Sequence, residues 1–162
     1  MANSFGTETA EQIIKEYADM IYRIALHNLK NTADADDILQ EVCIALITKN
    51  PPVDDKNHLK HWLIRVTINK CNSFHRSIWQ SKRECIDDYT HLEAPQQQTV
   101  IDEVRQLPKN YRNIIYLYYY ESYTIAEIAE ILNKSPNTIS SGLQRARKKL
   151  KKLLIEGGYN NA

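Results

Sequence analysis

Three groups of side chains in this chain of 162 residues are of types that could catalyse a reaction or hold a metal ion. His58 and His61 stand three apart, a spacing at which two imidazoles on a helix can share a metal ion. No Glu or third ligand accompanies them in the arrangement of helical metal sites. Asp34, Asp36 and Asp37 bring carboxylates to the start of a helical stretch, where they usually meet solvent and the positive end of the helix dipole. Cys43, Cys71 and Cys85 are widely spaced, with no C-x-x-C. That argues against a disulfide framework or zinc knuckle and for a reducing cytosol. There is no G-x-x-x-x-G-K, no G-x-S-x-G and no Cys/His nucleophile signature, so no enzyme, cofactor or metal is expected.

The remaining chemistry is that of binding polyanions. From Lys134 to Lys152 there are seven basic residues (Lys134, Arg145, Arg147, Lys148, Lys149, Lys151, Lys152) and no acidic one. A solvated helix face usually interleaves both signs, so a single-sign run points to phosphate contacts. A second stretch mixes rings with cations and amides: His58, Lys60, His61, Trp62, Arg65, Asn69, Lys70, Asn72, Phe74, His75 and Arg76. Rings on which bases stack, beside cations that track a backbone, suit single-stranded nucleic acid. Trp62 and Phe74 could equally be core residues.

These residues must be positioned by helices. Ile125, Ile128, Ala129 and Leu132 recur at spacings of three and four, one face of a short helix. Asn133 tolerates the left-handed backbone that turns the chain. Ser135 is a good N-cap and Pro136 fits the first helical position. A second helix then puts Ile139, Leu143, Ala146, Leu150 and Leu153 on one stripe. Helix, turn and basic helix form the pattern of a helix-turn-helix, whose second helix enters the major groove. Asn137, Ser140, Ser141, Gln144 and Arg145 then face bases, with Thr138 beside them, while Arg147, Lys148 and Lys151 touch phosphate.

Upstream, residues 9–30 form a helix with Ile13, Ile14, Tyr17, Met20, Ile21, Ile24 and Ala25 on a broad apolar face. A second helix starts at Thr32 or Asp34, lines Ile38, Val42 and Ala45 inward, projects Gln40 and Glu41 outward, and stops at Asn50-Pro51-Pro52. The loop Val53–Asn57 leads to a third helix, about His58 to Gln80, with Leu59, Trp62, Leu63, Val66 and Phe74 able to face inward. Residues 87–98 read as a flexible linker around Pro95 and its glutamines. A short helix from Thr99 to Leu107, with Val100, Ile101 and Val104 inward, and another from Asn110 to Glu121 precede the helix-turn-helix; the last residues read as a frayed tail. The expected fold is all-α: two small helical domains, 1–86 and 99–162, joined by the linker. Residues 1–93 carry net −3 and residues 94–162 net +4, consistent with a protein partner for the first and nucleic acid for the second. No apolar run approaches ~20 residues, the N-terminus has no signal-peptide pattern, and a cytoplasmic protein is expected.

In order along the chain, Asp34-Ala-Asp-Asp-Ile-Leu-Gln-Glu-Val, His61-Trp-Leu-Ile-Arg-Val-Thr-Ile-Asn69, Leu107-Pro108 with Tyr111-Arg112, Tyr123-Thr-Ile-Ala-Glu-Ile-Ala129 and Arg145-Ala-Arg-Lys-Lys-Leu150 occur. Together they resemble a bacterial RNA polymerase sigma factor of the extracytoplasmic-function (ECF) type, over about residues 10–155. The resemblance implies a first domain that docks on the polymerase clamp and opens the minus-10 element. It implies a second that binds the minus-35 element. By the same resemblance, Asp37, Gln40 and Glu41 fall in the core-binding helix. Asn69, Lys70, Asn72, Ser73, Phe74, His75 and Arg76 fall where the melted strand is held, with Lys60 and Trp62 nearby. The partners implied are core RNA polymerase and promoter DNA, with room for a membrane-bound anti-sigma factor. The family often carries a basic residue at the positions of Ser140 and Gly142. Their small size here leaves open weaker binding, a closer backbone approach to DNA, or a different site. The rival reading is a repressor or activator with a C-terminal helix-turn-helix and an N-terminal helical interaction domain. It leaves unexplained the acidic helix followed by the aromatic-basic one.

Overall fold

Helix starts in the N-terminal half are fixed by side-chain oxygens that take up otherwise orphaned backbone N–H groups. The computed structural model describes residues 9–49, 51, 55–81 and 101–158, and no strand occurs among them. The chain divides into two compact units, Met1–Thr90 and His91–Ala162. The expected linker, the residues Pro52–Asp54 of the loop before the third helix, Thr99, Val100 and the tail after Gly158 lie outside the described residues.

Helix α1 spans Ala10–Leu29. Thr9 and Gln12 form a capping box: Gln12 N–H donates to Thr9 Oγ1 at 3.3 Å and Thr9 N–H to Gln12 Oε1 at 3.0 Å. The helix ends at Lys30, whose φ of 58° is left-handed. Helix α2, Thr32–Lys49, begins where Asn31 Oδ1 accepts from Asp34 N–H at 3.1 Å, and it stops ahead of Pro51. Helix α3, Lys56–Ser81, begins where Asp55 Oδ1 accepts from His58 N–H at 2.8 Å.

The three helices pack on one another around Ile13, Ile21 and Ile24 of α1, Ile38, Val42 and Leu46 of α2, and Leu59, Leu63 and Ile64 of α3. Each such side chain contributes about 1.5–3 kcal/mol of burial. The inward face of α3 differs from the expected one. It runs Leu59, Leu63, Ile64, Thr67, Ile68 and Cys71, whereas Trp62, Val66 and Phe74 are only half-buried. Because α3 packs against both α1 and α2, its buried face must be wide, and Ile64 and Ile68 fill it. Buried Thr67 satisfies its hydroxyl by donating to Leu63 O at 2.7 Å.

In the second unit, α4 (Ile101–Arg105) and α5 (Lys109–Ile115) precede the helix-turn-helix. Along α4 and the residues just after it, Glu103 and Leu107 are buried and Val104 is half-buried. The single helix expected from Asn110 to Glu121 is instead α5 followed by a π-helical turn, Tyr116–Tyr120. Glu121 N–H bonds to Tyr116 O, five residues back, at 3.2 Å, and Ser122 at φ 59° ends the turn. Tyr116 stabilises the bend: its ring stacks on Tyr120 with centroids 5.0 Å apart, and its hydroxyl donates to Glu121 Oε1 at 2.9 Å.

Helix α6, Ile125–Leu132, is capped by Thr124, and Asn133 ends it at φ 54°. Helix α7, Pro136–Glu156, is capped by Ser135, whose Oγ accepts from Thr138 N–H at 3.1 Å. Ile128, Ala129 and Ile131 of α6 meet Ile139, Leu143 and Ala146 of α7 in the core. Gly142 belongs to that buried face. A Cβ there would lie 2.8 Å from Ile114 Cδ1 of α5. Its small size therefore serves helix-helix packing. A close backbone approach to DNA at this residue is ruled out, because the residue faces inward.

Candidate nucleic-acid interface

With Ile139, Gly142, Leu143 and Ala146 inward, the opposite side of α7 presents Asn137, Thr138, Ser141, Gln144, Arg145, Lys148 and Lys151, all exposed. Ser140 is half-buried at the edge of that face. Ser140, Gln144, Arg147 and Lys151, spaced four, three and four apart, form one stripe along its flank. The α6–α7 turn leaves the first turn of α7 open, and Ser135 and Thr138 join their hydroxyls at 2.7 Å there.

Arg147 is not a loose surface cation. Its Nε donates to Tyr119 Oη at 2.6 Å, and its guanidinium lies 5.3 Å from the Tyr118 ring centroid and 5.5 Å from that of Tyr119. The hydrogen bond to the Tyr119 phenol raises the Arg147 pKa above its ordinary value. Lys149 lies over the Tyr111 ring at 5.8 Å. The basic run is thus sorted: Arg145, Lys148, Lys151 and Lys152 reach into solvent, while Arg147 and Lys149 lean on tyrosines.

In the first unit, Asn69, Ser73 and Arg76 of α3 are exposed, and Lys60, Trp62, Lys70, Asn72, Phe74 and His75 are half-buried. Among them, Lys70 and His75 are tied to neighbouring helices. Lys70 pairs with Glu41 of α2 at 3.9 Å, and His75 Nε2 bonds to the Asn28 carbonyl of α1 at 2.9 Å. Asp34 has its pKa raised by burial first and by neighbouring Asp37 second, against a lowering by His75. Asp37, Gln40 and Glu41 are exposed on α2. The same side continues into Ile44 and Ile47, 59% and 62% exposed, which gives this acidic face an uncovered apolar end.

Sequence reasoning missed Tyr118 and Tyr119 as partners of Arg147, the Ile44–Ile47 extension, and the packing role of Gly142. The Ile pair was visible as a departure from the inward period of α2. The Tyr119–Arg147 pairing had no local signal, because 28 residues separate the partners.

The Sigma-70 region 2 family matches residues 13–81, and the Sigma-70 region 4 family matches residues 97–150. The chain is 30% identical over 145 residues to RNA polymerase sigma factor SigV of Bacillus subtilis strain 168, covering 83% of this chain and 84% of that one. It is 30% identical over 161 residues to ECF RNA polymerase sigma factor SigM of the same organism, covering 92% and 97%. Its fold is similar to that of the sigma factor RpoE of Bartonella quintana, solved with the anti-sigma factor NepR. The TM-score is 0.72 at 20% identity, over 89% of this chain and 95% of that one. A helix-turn-helix whose second helix carries no acidic residue from Asn137 to Lys152, a separate three-helix unit and these matches in the same order lead to one conclusion: the chain belongs to the ECF RNA polymerase sigma factors and gives RNA polymerase its promoter specificity.

Proposed function

We propose that three surfaces divide the work of initiation. The exposed face of α2 with Asp37, Gln40 and Glu41 docks on core RNA polymerase. Residues on α3 (Lys60, Trp62, Asn69, Lys70, Asn72, Ser73, Phe74, His75 and Arg76) hold unpaired bases of the minus-10 element. The outer face of α7 reads the minus-35 duplex, with Asn137, Thr138, Ser140, Ser141, Gln144 and Arg145 toward bases and Arg147, Lys148 and Lys151 toward phosphate. Residues 1–86 and 99–162 are the working domains, with 87–98 as linker. The observation that carries this reading is the outer face of α7 from Asn137 to Lys152, which bears amides, hydroxyls and cations and no carboxylate. A merely soluble helix would interleave both signs.

The energies are of the right size. Base-aromatic stacking supplies about 1–3 kcal/mol per base. Opening duplex costs about 1.4 kcal/mol per step. Two or three captures therefore sustain a short bubble. The protein acts in the cytoplasm as an initiation factor, without catalytic chemistry of its own. A structural neighbour was solved with an anti-sigma factor, which supports regulation of this chain by a partner of that kind, membrane-bound or not. Run-off transcription with core polymerase on a genomic promoter library tests the reading. Discrete start sites that depend on the added chain are expected. DNA binding that neither recruits core polymerase nor starts transcripts would overturn it.

A further inference from the structure

The π-helical turn Tyr116–Tyr120 sits beside α7 without a role in the reading above. In an ordinary α-helix adjacent side chains point about 100° apart. Here the adjacent rings of Tyr118 and Tyr119, edge-to-face with centroids 4.9 Å apart, both reach one guanidinium. We propose that Tyr119 and Arg147 form a single phosphate-gripping unit, in which the phenol positions the guanidinium for a DNA phosphate. This rests on α7 being the DNA-facing helix.

A guanidinium carries five N–H donors. The Nε donor is spent on Tyr119 Oη at 2.6 Å, and the Nη donors are left for an oxyanion. The partners holding Arg147 are rings and a phenol, which do not neutralise it as a carboxylate would. The rotamer freedom that a long side chain must lose on gripping phosphate is here lost on folding. A purely structural role fits poorly, since Tyr119 is 56% exposed and Arg147 is exposed as well, so the pair shields little surface. Arg147 also continues the stripe of Ser140, Gln144 and Lys151, which puts the unit on the flank of the recognition face.

The test uses the full chain and a fluorescein-labelled duplex of arbitrary sequence, with anisotropy measured over a sodium chloride series. The variants are Tyr119→Phe, Arg147→Ala, their combination, and Lys148→Ala. Tyr119→Phe should weaken binding about three- to tenfold, the size of one net hydrogen bond. It should also move the salt slope toward that of Arg147→Ala, which falls by about one unit. The combination should bind no more weakly than Arg147→Ala alone. Wild-type affinity for Tyr119→Phe, or full additivity in the combination, overturns the proposal. So does a loss of affinity that follows a lowered melting midpoint while the salt slope stays unchanged. If Arg147→Ala and Lys148→Ala both bind like wild type, the assignment of α7 to DNA fails, and the proposal falls with it for that separate reason.

Discussion

Gly142 offers the sharpest test of the packing described here. Gly142→Ala brings two opposing effects. Alanine gains about 1 kcal/mol over glycine inside a helix. Its Cβ, however, would lie 2.8 Å from Ile114 Cδ1. Ile114 is 5% exposed and has little room to turn away, so overpacking costs about 1–3 kcal/mol. The net expectation is a loss of roughly 0–2 kcal/mol. Ile114→Val removes that Cδ1 and by itself costs about 0.5–1.5 kcal/mol. In the double variant the new Cβ fills the space the methyl vacates, so the overpacking disappears while the helix gain remains. The two changes should therefore couple favourably by about 1–2 kcal/mol. For a unit of this size 1 kcal/mol moves the melting midpoint by about 4–8 °C. Circular dichroism follows both units, whereas Trp62 and Trp79 both lie in Met1–Thr90, so tryptophan fluorescence follows that unit alone. The shift should appear in the dichroism and not in the fluorescence. A Gly142→Ala variant that is more stable by the same amount with Ile or Val at position 114 would refute the close contact.

Ser140→Arg should tighten duplex binding and steepen the salt slope by about one unit, while Gly142→Arg should lower the melting midpoint of the second unit, because its side chain starts toward Ile114. Charge reversal of Asp37 and Glu41 together should weaken binding to core polymerase with the fold intact by dichroism; unchanged affinity in a pull-down titration would remove α2 from the interface. Asn72→Ala with Phe74→Ala should abolish permanganate reactivity of unpaired thymines in the holoenzyme complex yet keep the closed complex, with melting measured in parallel since Phe74 is half-buried. Asp34 has a folded pKa raised above its ordinary 3.8, so the stability it contributes is full below the unfolded value and is lost as pH rises through the folded one. Asp34→Asn should therefore gain on wild type between about pH 4 and neutrality, read as urea midpoints by tryptophan fluorescence; a gap that is constant over that range would count against the burial of this carboxyl.

Much of this molecule is legible from local rules. Thr9, Ser135 and Pro136 mark helix starts, and Asn133 marks a turn, because capping and left-handed backbone depend on a few adjacent residues. The helix-turn-helix and the outward face of α7 follow from the period of its apolar stripe. The sequence by itself also determined the family, since five motifs in order name it without any geometry. The inward face of α3 was harder to read, because only packing against both α1 and α2 selects Ile64 and Ile68 over Trp62 and Phe74. The tertiary structure alone decided why residue 142 is small and which cations of the basic run are held. Both depend on contacts across many residues: Ile114 against Gly142, and Tyr119 against Arg147. The π-helical turn sets the second contact, and it arises from an i−5 hydrogen bond supported by Tyr116, Tyr120 and Glu121. No periodicity in the run Tyr-Leu-Tyr-Tyr-Tyr reveals that bond, because a run apolar and aromatic all round fits an α-turn and a π-turn equally well until neighbouring helices choose between them.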